Sequence, residues 1–552
     1  MNESDSPLGK HENHHDLQLT SINRQKLSDE EEFAYQDEVV EEIVKHNKAT
    51  KRNEYHEMME DEETSSDQPH VGCDNNDEGP FRFSFKKFWA FAGPGLLMSI
   101  AFLDPGNIAG DLDAGKSAGY RLLWTLLTAT IVGLFFQILS ARLGVVTQRN
   151  LARLCKEQFP KKVRFILWLM TEIAIIGSDI QEVIGSSIAL NILFGVPIWV
   201  GSLITIFDSL IFLLIHYFGV RKLEAFFAFL ISTMAVCFFL NFVMVKPDIG
   251  EVLFGTLVPT IPAGTFPQAI GLIGAVIMPH NLHLHSSLVL SRKINTNSKS
   301  SVHEANVYNA IESAMSLFIS FMISFAVVGT FAHYHDTQTP DQIDLNLRNA
   351  DQALYQSFGQ HARIIWGIGL LAAGQSSTMT GTYAGQFVME GFLDIKLPVW
   401  KRVFITRSIA IFPALIVAFI SDYDEVDTYL NILQAIQLPF ALIPLLKFTS
   451  SPKIMGDRFV NSLTMKYGSF ALAFILIFIN AYGLISDWEG TADVLKFTIF
   501  GIFITGYVSL LVLVIREPVH QISPISSIEC ETETMGVNQS VVVDEKDSVK
   551  AN

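Results

Sequence analysis

Apolar stretches long enough to cross a bilayer as a helix, about 20 residues each, recur through the middle of the chain. They fall at 88–119, 122–146, 163–190, 198–217, 223–245, 267–291, 310–333, 363–392, 402–421, 427–448, 468–486 and 492–515, twelve in all. The connections test this division, because Lys and Arg collect in cytosolic loops. After the second run come Arg142, Arg149, Arg153, Lys156, Lys161, Lys162 and Arg164; after the fourth, Arg221 and Lys222; after the sixth, Arg292, Lys293 and Lys299. The even series continues with Lys396 and Lys401, then with Lys447, Lys453, Arg458 and Lys466, whereas the ninth connection reads Asp422, Asp424, Glu425, Asp427 without a base. The pattern predicts an all-α polytopic membrane protein of 12 transmembrane helices with both termini cytosolic.

Composition agrees with this reading. Of 552 residues, 49% are hydrophobic and 17% charged, against about 25% charged in an average soluble protein. A water-soluble enzyme is disfavoured, and no nucleophile–base arrangement suggests catalysis of any kind. Residues 1–80 carry 22 Asp and Glu against 7 Lys and Arg, and residues 517–552 carry 7 against 2. The tails thus hold −20 of a net −17, which leaves about +3 between Phe81 and Arg516. The acidity describes two polar tails, and the near-neutral centre gives no reason to expect a nucleic-acid partner.

The N-terminal tail, with Asp29-Glu30-Glu31-Glu32 and Asp61-Glu62-Glu63, has too little apolar surface to order itself and is expected to be disordered. Its His11, His14 and His15 are read as solvated. The sequons at Asn2 and Asn538 fall in the tails, and Cys73, Cys155, Cys237 and Cys530 form no CxxC pair, so neither lumenal glycosylation nor a disulfide frame is implied. No charged n-region with a short apolar run opens the chain, so the first span is expected to serve as its own targeting signal.

Two runs contain breaks. The first reads Ala101-Phe102-Leu103-Asp104-Pro105-Gly106-Asn107 and the sixth Ala275-Val276-Ile277-Met278-Pro279-His280-Asn281. Proline has no N–H, so each releases the carbonyl four residues back, on Ala101 and Ala275, and Gly106 lets the chain unwind. The shared pattern A-x-x-[D/M]-P-x-N opens two groups of five spans. Five is odd, so the second group must lie upside down relative to the first, with the broken helices meeting near the midplane. The expected divisions are 1–85, 86–245 and 246–450 for the tail and two five-helix repeats, 451–516 for two additional helices, and 517–552 for a disordered tail.

Such a junction offers the carboxylate of Asp104, the amide oxygen of Asn107, the carbonyls of Ala101 and Ala275, and the thioether of Met278. Oxygen alone would suit calcium or magnesium; a thioether adds little for them and suits a softer divalent transition ion such as Mn²⁺ or Fe²⁺. Capping by Asp104 and space-filling by Met278 are the plain alternatives.

Other ionisable residues at membrane depth are functional candidates by default: Glu172, Asp179 and Glu182 in the third run, His280 and His285 in the sixth, and Arg407 in the ninth. Asp179 and Glu182 share a helical face, with Arg407 a candidate counter-charge, and together with His280 they can pass protons or form a static ion pair beside a satisfied histidine. His283, Asp208 and Glu312 are read as packing residues.

These residues closely resemble the natural resistance-associated macrophage protein (NRAMP) family of proton-coupled divalent metal transporters. The likeness rests on Asp104 to Asn107, on Met278 to Asn281, on Gly177-Ser178-Asp179-Ile180-Gln181-Glu182-Val183-Ile184-Gly185 and on the run from Ala373 to Gln386. It implies a LeuT-like fold of 5+5 inverted repeats. It also implies metal ligation by Asp104, Asn107, Met278, Ala101 and Ala275, and a proton pathway through Asp179, Glu182, His280 and Arg407. Some relatives place a glutamine ligand where this chain has Asn431, one methylene shorter, with Gln434 nearby as a substitute.

The resulting expectation is a multi-pass symporter that carries Mn²⁺ or Fe²⁺ with H⁺ toward the cytosol, the metal being substrate and no cofactor being needed. Plasma membrane, endosome and vacuole all fit. A non-transporting metal sensor on the same fold is the rival, disfavoured by a C-terminal tail of 36 residues. A magnesium-selective relative would be expected to lack the thioether of Met278.

Overall fold

The structure is a computed structural model. It describes residues 83–91, 94–205, 220–292, 294–295, 298–335, 345–393, 399–419, 423–486 and 494–521. All of them belong to the unit His70–Asn552; the unit Met1–Pro69, with the expected tail and its histidines, lies outside the described residues, as does most of the C-terminal tail.

Every regular element among the described residues is helical. The first apolar run is broken into a short helix Phe85–Phe91, α1 (Pro94–Ile100) and α2 (Pro105–Ala118). The second and third runs form α3 (Leu123–Thr147) and α4 (Lys161–Phe194), with Leu151–Gln158 between them. The fourth is described only over Ile198–Thr205, bent 119° from α4, so Asp208 lies outside the described residues. Then come α5 (Val220–Val245), the broken sixth run as α6 (Phe266–Val276) and α7 (Pro279–Leu288), and α8 (Lys299–Ala332). The last runs give α9 (Gln360–Leu393), α10 (Val399–Phe419), α11 (Tyr423–Thr449), α12 (Leu463–Ser486) and α13 (Val494–Arg516).

By length and apolarity alone, four helices among the described residues qualify as membrane spans, or up to six if each bent pair is one span. The innermost helices are interrupted or carry polar residues inward: Ser376, Ser377, Thr378, Thr380 and Thr382 on α9 are all buried. Outward the pattern inverts, and Phe229, Phe318, Phe412 and Phe474 are each more than half exposed, as expected for helices that face hydrocarbon.

Close helix contact is made possible by missing side chains. α9 lies along α4 and α5, and a Cβ on Gly374 would stand 2.1 Å from Ser186 Oγ. A Cβ on Gly185 would stand 2.2 Å from Pro105 Cβ, so α4 presses directly on the first break. Small residues allow such approach where the hydrophobic effect between helices is absent.

Candidate functional site

The site is assembled at two breaks. In the first, the helix tightens as Phe102 and Leu103 donate to the carbonyls of Ser99 and Ile100, and then stops. Asp104 takes an extended conformation, φ −73° and ψ 162°, and its Oδ1 accepts the Asn107 N–H at 2.7 Å, an N-cap for α2. The buried Ser178 of α4 lies beside the same carboxylate. The capping role weighed for Asp104 is therefore real, and it occupies one oxygen. Asn107 is buried, and neither its Oδ1 nor its Nδ2 makes a hydrogen bond. Such an amide is costly in a closed interior unless something else engages it.

The second break repeats the backbone with different chemistry. α6 ends at Val276, Met278 is extended at φ −88° and ψ 140°, and its side chain makes no cap bond. Met278 and Ala275 are both buried. Pro279 cannot donate to the Ala275 carbonyl, as the sequence requires.

The breaks meet. Asn281 Nδ2 donates to the Ala101 carbonyl at 2.9 Å, so the carbonyl released by Pro105 is not idle but ties α7 to the first break. A carbonyl has two lone pairs, so one remains.

A chain of amides joins α4 to α11. Gln181 Nε2 donates to Asn431 Oδ1 at 2.9 Å, and Gln434 Nε2 donates to Gln181 Oε1 at 2.8 Å. Gln181 also packs over the first turn of α2, where a Cβ on Gly106 would lie 2.5 Å from its Cδ, so this glycine is helical and makes room for Gln181 while the chain unwinds just before it, at Ala101–Asp104. The Asn431 oxygen is thus engaged by Gln181, while the buried Gln434 Oε1 has no hydrogen-bond partner.

The remaining charged groups lie on α4 and α7. Asp179 and Glu182 are buried and face α9 together: a Cβ on Gly381 would stand 2.9 Å from Asp179 Oδ1 and 3.3 Å from Glu182 Oε1. α10 packs against α4, but the side chain of Arg407 lies outside the described residues. His280 is buried in the first turn of α7, its Nδ1 without a hydrogen-bond partner. His285 is the satisfied histidine, with Gln137 Oε1 2.8 Å from Nδ1 and Ser313 Oγ 3.4 Å from Nε2. His283, read as a packing residue, does pack on Phe392, yet neither of its buried ring nitrogens has a hydrogen-bond partner. Glu312 is buried and Glu172 partly so.

Three polar residues at the site were not singled out by sequence reasoning. Gln181 and Ser178 sit inside a motif that had been read for its carboxylates. Asp111 is a third buried carboxylate on α2, its Oδ2 without a hydrogen-bond partner. Its spacing of seven from Asp104 put it on the same helical face and was the available signal. Among the described residues no three His, Cys, Asp or Glu side chains cluster as a metal site. The donors gathered here are instead one carboxylate, amides, carbonyls and a thioether.

A model of the natural resistance-associated macrophage protein-like family matches residues 95–486, most of the chain. The protein belongs to that family. As an NRAMP protein it is an integral membrane protein. The metal transporter nramp1 homolog of Dictyostelium discoideum is 51% identical over 408 residues, 73% of this chain and 76% of the relative. A solved mutant of the Eremococcus coleocola manganese transporter is 30% identical with a TM-score of 0.69, covering 80% of this chain and 97% of that one. Mhp1, a nucleobase-cation-symport-1 family transporter, shares 14% identity at a TM-score of 0.51 over 76% of this chain and 91% of its own, a likeness of fold alone. The NRAMP chain has the LeuT-like fold that the family resemblance implied.

Proposed function

We propose that this protein is a proton-coupled symporter that moves divalent transition-metal ions, Mn²⁺ and Fe²⁺, toward the cytosol. The observation that carries the reading is the meeting of two broken helices around buried donors of mixed hardness, above all Asn107, whose amide is buried with no hydrogen bond. Names borne by relatives support it, since one is a metal transporter and a solved neighbour a manganese transporter.

In this reading Asp104 and Asn107 give hard oxygens and Met278 the softer sulfur that discriminates against Ca²⁺ and Mg²⁺. The carbonyls of Ala101 and Ala275 complete the set, Ala101 using the lone pair that Asn281 leaves. From α11, Gln434 offers an uncommitted oxygen, and Asn431 contributes by sharing its own with Gln181. Asp104 releases its proton as the cation binds. Asp179, Glu182, His280 and Arg407 form the route by which it leaves, because an unsolvated proton in lipid is prohibitive.

The test is uptake of Mn²⁺ and of Fe²⁺ into proteoliposomes that hold the full chain, at two values of the proton gradient, with lumenal pH recorded. Uptake that rises with an inward gradient and acidifies the lumen is expected. Uptake without acidification removes the coupling, and no uptake of either ion overturns the reading.

A further inference from the structure

A cavity of ≈ 530 Å³ lies away from the breaks, where α3 ends, α8 begins and the helix Pro452–Phe459 follows α11. These three places border the loops rich in Lys and Arg, the end that the charge rule assigns to the cytosol. Its polar groups are Arg142, Arg458, His303 and Asn306, and among the described residues no Asp or Glu lines it.

Arg142 is fixed from one side. It donates through Nη2 to Asn461 Oδ1 and approaches Met465 Sδ at 3.8 Å through Nη1, which leaves Nε buried without a hydrogen-bond partner. Asn306 Oδ1 and Nδ2 are likewise buried and unpartnered. His303 and Arg458 are exposed at the mouth. Two guanidinium groups and a donor amide with no acid among them suit a phosphate.

The rest of the wall is apolar and directional. Val307, Ala310, Ile311 and Ala314 follow the spacing i, i+3, i+4, i+7 on α8, so they form one stripe that runs from the polar mouth toward the membrane interior. Farther along α8, Met315 is 51% and Phe318 61% exposed on the outer surface. A cationic head that leads into an apolar track has the shape of a phospholipid and is wider than a free phosphate requires.

We infer that this cavity binds an anionic phospholipid of the cytosolic leaflet, its phosphate between Arg142 and Arg458 and an acyl chain along the α8 stripe. Surface basic residues already gain from that leaflet's negative potential, and a pocket adds fixed geometry to it.

The full chain, purified in mild detergent, is titrated with phosphatidylserine and with phosphatidylcholine and read by native mass spectrometry. Phosphatidylserine is expected to bind preferentially. Arg458→Glu, at an exposed position, is expected to lower that preference roughly tenfold, and Arg142→Gln to lower it further. Ala310→Trp, which fills the track and keeps every charge, is expected to reduce binding of both lipids. Equal binding of the two lipids by the parent, or a preference unchanged in Arg458→Glu and in Arg142→Gln, overturns the proposal. So does full displacement of phosphatidylserine by millimolar inorganic phosphate, which would make the cavity a site for free phosphate.

Discussion

The two breaks use one backbone solution with two cap chemistries. Asp104 and Met278 each precede a proline in extended conformation, within about 25° of one another in both φ and ψ. Asp104 spends one oxygen on the Asn107 N–H; a thioether is too weak an acceptor to cap, and Met278 makes no such bond. Break geometry is therefore set by proline and the extended residue before it, and the side chain at the cap position is released from structural duty. The first break keeps part of its carboxylate for structure. The second leaves its sulfur wholly available for recognition.

This contrast can be broken deliberately. Asp104→Ala removes cap and carboxylate together, so Mn²⁺ uptake in proteoliposomes is expected to fall at least about a hundredfold, with about 1 kcal/mol lost in thermal unfolding. Uptake that persists would take Asp104 out of the ligand set. Asp179→Asn keeps size beside Gly381 and removes the titrating group, so Mn²⁺ affinity by calorimetry should stay near the parent's while lumenal acidification largely disappears. Acidification at the parental rate would reduce α4 to scaffold.

Met278→Ala sharpens the comparison from the other side. It removes no cap bond, so the break should persist, yet Mn²⁺ and Cd²⁺ transport should weaken and Ca²⁺ should compete better. Unchanged competition by Ca²⁺ would restore space-filling as the sulfur's role. The smallest effect is expected from Asp111→Asn, one face along α2, where a loss of severalfold in apparent Mn²⁺ affinity with unchanged maximal rate would mark an approach route. An unchanged affinity would leave Asp111 a buried packing group.

The breaks were legible because proline and glycine inside an apolar run have few structural excuses, and Asp179 with Glu182 because ionised groups at that depth have fewer. Gln181 was not legible in the same way, and Gln434 entered only as a substitute for Asn431. An amide costs less than a charge in a span, and its importance comes from partners 250 and 253 residues distant, which periodicity cannot reveal. His283 and His285 are alike in sequence and differ only in what faces them, Phe392 for one and Gln137 with Ser313 for the other. Of the twelve apolar runs, the one that forms α9 buries hydroxyls that dilute its apolarity, so it is not recovered by length and hydropathy alone.

The bond from Asn281 to the Ala101 carbonyl also has a thermodynamic consequence. It crosses from one half of the pseudo-symmetric fold to the other at an atom that a bound cation would also use. Occupancy and the cohesion of the two halves then form one linked equilibrium: whatever factor an ion applies to the strength of that junction, the junction returns to the ion's affinity. A change at Asn281, with no atom in the ligand set, would therefore register as a change in binding.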